Sequence, residues 1–389
     1  MIISILGMAG EFNGKATTAY YGCTSLTKES KDYRNSTDVL LKNYDDDFYL
    51  LGTTDAINLQ KRVLDTQNKS VKFLPVDINN LDEVFEKVFE LISKAESEKV
   101  ILDITHGFRD QSISAIFSAT LHLFLNQSNI EVIFAKQITM HTKYEYMLLN
   151  DYINLTQLSL LLTGFIRTLN FVNSVNVEGL NTLAFENFSK ALLSNDFKKL
   201  QSSYLNLSAT LEQAKKNKKF AHLRELFEKI ENTLIDFRGF EKKELYEKYM
   251  VLANIMFEKN YYLLSLTYLF EAIRLYASYS FYKKNIINNY RWNNINMYTL
   301  NSEVITCITQ KEFGERYRKT RYDKNDFYHK NLKSFEKIAL EYKKLRELRN
   351  NLTHINHKES QPNIKGALKI LLDEVGQLIN SDILKNLES

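Results

Sequence analysis

Two prolines and two cysteines in 389 residues leave this chain with few hard breaks and no disulfide framework. Cys23 and Cys307 lie far apart in sequence and could form one bridge at most, so a reducing, cytoplasmic setting is expected. Residues 1–14 lack a basic segment and a convincing cleavage site, so this stretch is not expected to be a secretory leader. The longest charge-free run, Gln111–Ile130, is interrupted throughout by Gln, Ser, His and Asn. A spanning helix needs about 20 predominantly apolar residues, so this run reads as a buried helix and no membrane partner is expected. Charge of one sign is also scarce, with a net value of only +4. What is there is ordinary for a folded protein: 44% hydrophobic and 25% charged residues, on a chain too long for one core. Two domains are expected.

The charge is unevenly spread. Between Lys311 and Arg349, thirteen Lys and Arg face seven Asp and Glu, a local excess larger than that of the whole chain. Such a stretch suits a polyanionic partner, although any single lysine in it serves equally well as a solvated helix face.

Over the first ~150 residues, short apolar runs alternate with helical periodicity, as a parallel sheet with crossover helices requires. The strand candidates are Ile2–Leu6, Phe48–Leu51, Val71–Leu74, Val100–Ile104 and Glu131–Phe134. Helices are predicted over residues 81–95, with Asn80 and Glu83 spaced as a capping box, and over residues 112–125. After Asp151 the apolar spacing becomes three and four, and amphipathic segments follow at 183–193, 200–215, 223–235 and 246–282. The expected fold class is therefore an N-terminal Rossmann-like α/β domain (1–154) followed by an all-α region (155–389). Residues 155–175 are read as a connecting helix and 284–296 as loop. No internal repeat is present.

Parallel sheets bind ligands where strand carboxyl ends turn toward helices. Three such turns carry unusual residues: Gly7–Gly14 after the first strand, Gly52-Thr53-Thr54 after the second, and Thr105-His106-Gly107-Phe108-Arg109 after the fourth. Glycines admit close backbone approach, and hydroxyls with Arg suit an anion. Glycine turns are equally common as plain punctuation. Gly14-Lys15 does not complete a P-loop, because Ala9 and Ala16 stand where glycine and a hydroxyl are required, and no GxGxxG occurs.

The stretch Leu102–Arg109, LDITHGFR, resembles the signature of CARF domains in CRISPR-associated type III accessory proteins. The family often continues with a small residue and proline, whereas this chain has Asp110-Gln111. The resemblance covers about residues 1–150 and implies a cyclic oligoadenylate ligand bound across a two-fold homodimer. It implies binding roles for Gly10, Asn13, Thr53, Thr54, Thr105, His106, Gly107 and Arg109. The resemblance leaves rings of four and of six members open, and cyclic tetra-adenylate is taken here ahead of the hexa-adenylate.

Late in the helical region, Leu348–His354 reads LRNNLTH and matches R-N-x3-H. Thirteen Arg and seven His make roughly 0.2 such matches expected by chance, so context must decide. The motif resembles that of HEPN ribonucleases, and its order after a CARF-like half resembles the full CARF–HEPN architecture, with a core at about 245–389. The resemblance implies metal-independent cleavage of single-stranded RNA by its own 2′-OH. Arg349 would hold the phosphate, Asn350 would orient, and His354 would move protons. At 100° per residue Asn350 and His354 share a helical face while Arg349 and His354 stand about 140° apart, so one helix aims both at a common point only if it ends or distorts near Thr353; the resemblance implies instead a site composed from two protomers. Against this stand plainer readings: Arg349 paired with Glu341 or Glu347, and His354 capping a helix end. His357 and His329 are weaker candidates. A CARF-controlled regulator, or a nuclease acting on the ring itself, are the competing functions.

Overall fold

The computed structural model describes residues 1–22, 24, 26–27, 29–95, 98–126, 129–139, 143–172, 177–309, 325–353 and 364–387. The chain divides into two compact units: Met1–Thr163 with Phe171–Glu186 and Lys216–Leu223, and Gly164–Asn170 with Asn187–Lys215 and Arg224–Ser389.

The first unit is built on an eight-stranded sheet. Its parallel centre comprises β1 (Ile2–Ile5), β6 (Phe48–Gly52), β7 (Val71–Pro75), β8 (Val100–Asp103) and β9 (Ile130–Thr139), in the order β9-β8-β1-β6-β7. All five expected strands are present. Strands β1 and β8 are buried along their whole length, as parallel strands covered on both faces must be. Ile3, Ile5 and Leu102 pack with Val84, Val88 and Ile92 of helix α3 (Leu81–Lys94) and with Ala115 and Ala119 of α4 (Arg109–Asn126). On the other face Ile2, Leu50 and Ile101 pack with Leu40 of α1 (Ser36–Asn43) and Ile57 of α2 (Thr54–Val63). The side chains thus alternate between two cores with the period of the strand.

The sheet is mixed rather than purely parallel. Strand β10 (Lys143–Leu148) runs antiparallel to β9, and β4 (Ala19–Tyr21) and β5 (Lys31–Tyr33) extend that edge. These strands escape a search for aliphatic runs because tyrosines hold them: Tyr21 stacks on Tyr144 at 5.2 Å and packs against Tyr33 and Tyr146. Strands β2 (Glu11–Phe12) and β3 (Lys15–Ala16) form a separate hairpin. At α3 the capping box is only half made. Asn80 accepts from the Glu83 N–H at 3.3 Å, but the Glu83 carboxylate turns to the Asp77 N–H at 2.7 Å.

Helix α5 (Asn150–Thr168) ends seven residues before the expected connecting helix does, at Leu169, whose φ is +55°. Next come α6 (Thr182–Leu193), α7 (Phe197–Lys216) and α8 (Arg224–Thr233). The expected run over 246–282 is two helices, α9 (Leu245–Glu258) and α10 (Tyr262–Lys283), parted at Asn260 with φ +62°. A left-handed residue ends a helix, and asparagine tolerates that conformation better than most. Then follow α11 (Asn289–Asn294), α12 (Met297–Ile308), α13 (Asn325–Lys330), α14 (Leu332–Thr353) and α15 (Ile364–Asn380). Helix α11 lies inside the stretch expected as loop; Asn288 caps it by accepting from Arg291 N, and its Trp292 stacks on Tyr282 at 4.4 Å. Helix α10 packs against α9, α12, α14 and α15 and is buried nearly all round, which makes it the centre of the second unit. Among the described residues no helix is long and apolar enough to cross a membrane.

Candidate functional site

In the first unit, chain order reverses between β1 and β8: β6 and β7 lie on one side of β1, while β8 and β9 lie on the other. The turns after β1 and β8 therefore flank the switch point, where open α/β sheets hold ligands. The two turns touch. A Cβ at Gly7 would stand 2.8 Å from the Gly107 nitrogen, and one at Gly107 would stand 2.4 Å from Ile5 Cγ2. Gly107 also has φ +88°, so both space and backbone demand glycine.

Beneath these turns lies a buried carboxylate. Asp103, fully enclosed at the end of β8, accepts from Ser4 Oγ at 3.1 Å, Ser36 Oγ at 2.8 Å and the Thr105 N–H at 3.0 Å. The Thr105 hydroxyl also donates to it while accepting from the Ala135 N–H at 2.9 Å. A polar group this buried is tolerable only when hydrogen-bonded this fully. His106 points to the start of α1, where its Nε2 accepts from the Ser36 N–H at 3.3 Å. Burial pushes the imidazole pKa below its usual range, against the opposing pull of Asp103. An Nε2 that accepts carries no proton, so this histidine sits neutral.

Above the turns opens a cleft of about 860 Å³. Thr53, Thr54 and Gly107 line it with Gly7, Met8 and Phe108, and Asp55, Asp77, Glu83 and Lys87 complete the lining. Lys87 is steered by Glu83 at 2.6 Å and by the Pro75 carbonyl at 2.5 Å. The Glu83 carboxyl is held below its ordinary range by the Asp77 N–H and then by Lys87. Thr53 caps α2, its hydroxyl accepting from Ala56 N at 3.4 Å.

Other expected ligand contacts fall elsewhere. Gly10 is buried, with φ +94° and room for a Cβ denied by Val63. Asn13 and Gly14, with φ +50° and +75°, form the exposed tip of the β2–β3 hairpin. Positive φ at both central residues is the type I′ geometry that Asn-Gly favours. Thr105 and His106 lie under the cleft rather than in its lining, and Arg109 is exposed in the first turn of α4.

The second unit carries a smaller recess of about 340 Å³ between three helix faces. Helix α10 contributes Phe270, Glu271 and Arg274; α12 contributes Tyr298, Ser302 and Thr306; and α14 contributes Tyr342, Arg346, Arg349 and Asn350. Each set repeats at three or four residues, so each is one stripe of its helix. Two guanidinium groups stand over the Phe270 ring, Arg349 at 5.0 Å and Arg274 at 5.6 Å from its centroid, with Tyr342 stacked on it at 4.9 Å. Arg349 and Asn350 are thus brought to one place. His354 and His357 lie outside the described residues. Glu341 is engaged by Lys344 at 2.9 Å, and burial raises its carboxyl pKa. Among the described residues, no group of three or more His, Cys, Asp or Glu side chains is placed to hold a metal ion.

Among solved structures, the fold of this chain is similar to that of a known protein. Enterococcus italicus Csm6, solved bound to cyclic hexa-2′-fluoro-hexa-dAMP, aligns with 98% of this chain and 93% of its own. The identity is 11% and the TM-score 0.40. No family model and no curated sequence matches the chain.

Several residues of both sites leave no mark in the sequence. Lys87 reads as an ordinary i,i+4 partner of Glu83, and Arg274 as one charge in a hydrophobic helix. Arg346 could have been found, since it stands one turn before Arg349 on the same stripe.

Proposed function

We propose that this chain is a cytoplasmic CARF–HEPN effector of CRISPR antiviral defence. In this reading the 1–154 domain senses cyclic oligoadenylate, and the 155–389 region, with a core at about 245–389, cleaves single-stranded RNA as a homodimer. The observation that carries it is the recess in which Arg349 and Asn350 of the R-N-x3-H motif meet Arg274, Arg346 and three aromatic rings. Three guanidinium groups and one carboxylate favour a phosphodiester, and rings favour bases. Arg349 holds the scissile phosphate and stabilises its developing charge. Asn350 orients it, and His354 transfers the proton of the attacking 2′-OH, without a metal. The product is a 2′,3′-cyclic phosphate and a 5′-OH.

The sensing roles divide by placement. Thr53, Thr54 and Gly107 contact the ring directly, and Arg109 reaches it from α4. Thr105 and His106 hold the turns in shape from below, and Gly10 with Asn13 sets the hairpin at the rim. The acidic residues in the cleft lining suit amino groups better than phosphates, so Asp55 and Asp77 pair with adenine rather than the backbone. A symmetric ring is bound by the same turns from two protomers, with the tetra-adenylate preferred.

The test is single-stranded RNA cleavage in EDTA, with and without cyclic tetra- or hexa-adenylate, for wild type and His354→Ala. Ring-dependent cleavage that vanishes in the variant is expected. Cleavage surviving His354→Ala moves the chemistry elsewhere, and duplex binding without cleavage favours a regulator.

A further inference from the structure

Arg274 is enclosed, 6% exposed, in the middle of a hydrophobic helix. Burying a guanidinium is unfavourable unless its donors are satisfied. Here only part of that demand is met: Glu271, one turn earlier, takes Nη1 at 2.9 Å, while Nε is buried without an acceptor. A group held in place by a carboxylate yet short of acceptors is organised for an anion that arrives from the recess it lines. Its aromatic setting is unequal. One ring is Phe270, buried at 6%; the other is Tyr298, whose centroid lies 5.3 Å from the guanidinium and which is 72% exposed. Tyr298 stands near the start of α12, fixed by Asn296, which accepts from its N–H at 2.8 Å. Water touches most of this ring, and a cation underlies it.

We infer that Arg274 and Tyr298 form a nucleotide-gripping subsite beside Arg349, in which Arg274 holds a backbone phosphate of single-stranded RNA and Tyr298 stacks on the adjoining base. This rests on reading the second unit as acting on RNA, and it names residues outside the R-N-x3-H motif. Stacking is tolerant of base identity, because every base has a π face. The subsite therefore strengthens binding of unpaired RNA generally, and a duplex, whose bases are already stacked, gains nothing from it.

The experiment uses the full-length His354→Ala protein, so that RNA survives, and follows anisotropy of a fluorescent single-stranded RNA oligonucleotide. Tyr298→Ala is expected to weaken binding about tenfold, with Tyr298→Phe restoring it. Arg274→Lys keeps the charge but loses the planar fork, and weakens binding also; in the His354 protein it raises KM more than it lowers kcat. If folded Tyr298→Ala and Arg274→Lys proteins bind RNA as tightly as their parent, or the parent binds none, the inference is overturned. A purely structural Arg274 would lower the unfolding midpoint and leave RNA affinity untouched. Should Arg274→Lys not fold, Tyr298→Ala decides, since its ring is mostly in solvent. Failure of the ribonuclease reading looks different: RNA bound, with this dependence on Tyr298, but never cut with any ring present.

Discussion

At the scale of single residues, the turns above Asp103 are defined by what cannot be added to them. Gly107→Ala forces a methyl onto Ile5 Cγ2 and a side chain into positive φ. Overpacking and left-handed strain together predict a loss of at least about 2 kcal/mol in urea denaturation. Gly14→Ala is the contrast: φ is positive there too, but the added carbon meets nothing within 4 Å, so about 1 kcal/mol is expected. Equal losses would show that the clash with Ile5 is not what requires glycine at position 107. His106 makes a second, pH-dependent prediction. Its pKa is lowered by folding, so near and below its unfolded value of about 6.5 the unfolded chain binds more protons. Its contribution is then complete above that pH and is lost as the pH falls toward the folded value. The urea midpoint of wild type should drop more between pH 7.5 and 5.5, on the order of its unfolded titration range, than that of His106→Gln, which cannot titrate. Parallel curves would mean that His106 is not buried neutral.

At the scale of elements, α4 is the piece whose sequence and surroundings disagree most. Ile113, Phe117, Leu121 and Leu125 recur every fourth residue and are between 40% and 64% exposed, while Ala115 and Ala119 face the sheet. A helix with apolar residues on both sides belongs in an interior, and this one begins directly after the turn that borders the cleft. Under the proposed dimer this stripe is where the second copy seats, which brings the same turns together across a two-fold axis. Phe117→Glu is expected to shift sedimentation from dimer toward monomer and to weaken ring binding, leaving the monomer folded by circular dichroism. An unchanged sedimentation coefficient would place the dimer face elsewhere. The helical unit shows a related lesson. Its recess draws one stripe from each of α10, α12 and α14, and only the last contains the motif.

At the scale of the whole molecule, the proposed function needs two sites that share a free energy. Ring binding can raise RNA cleavage only as far as its affinity differs between the inactive and active arrangements of the dimer. A hundredfold activation demands about 2.7 kcal/mol of such difference. Arg109→Ala, at the exposed start of α4, should weaken ring binding in calorimetry by about tenfold, the size of one charge-assisted contact, while leaving the helical unit folded. It should raise the ring concentration needed for half activation by the same factor without altering cleavage at saturation. A loss of maximal rate instead would mean that Arg109 transmits the signal rather than gathers the ligand.

Period and composition alone determined a parallel α/β half followed by a helical one, because alternating aliphatic runs and three–four spacing are local properties of a chain. They also exposed LDITHGFR and RNNLTH as polar clusters set against apolar surroundings. Tertiary structure alone decided the rest. The tyrosine-held edge strands declare themselves only when four rings from distant segments pack together. Which glycines face a cleft and which merely avoid a clash depends on Ile5 and Val63, neighbours in space that no spacing rule reaches. Arg274 sits seventy-five positions before Arg349, and only the fold of three helices about α10 places both guanidinium groups over one phenylalanine.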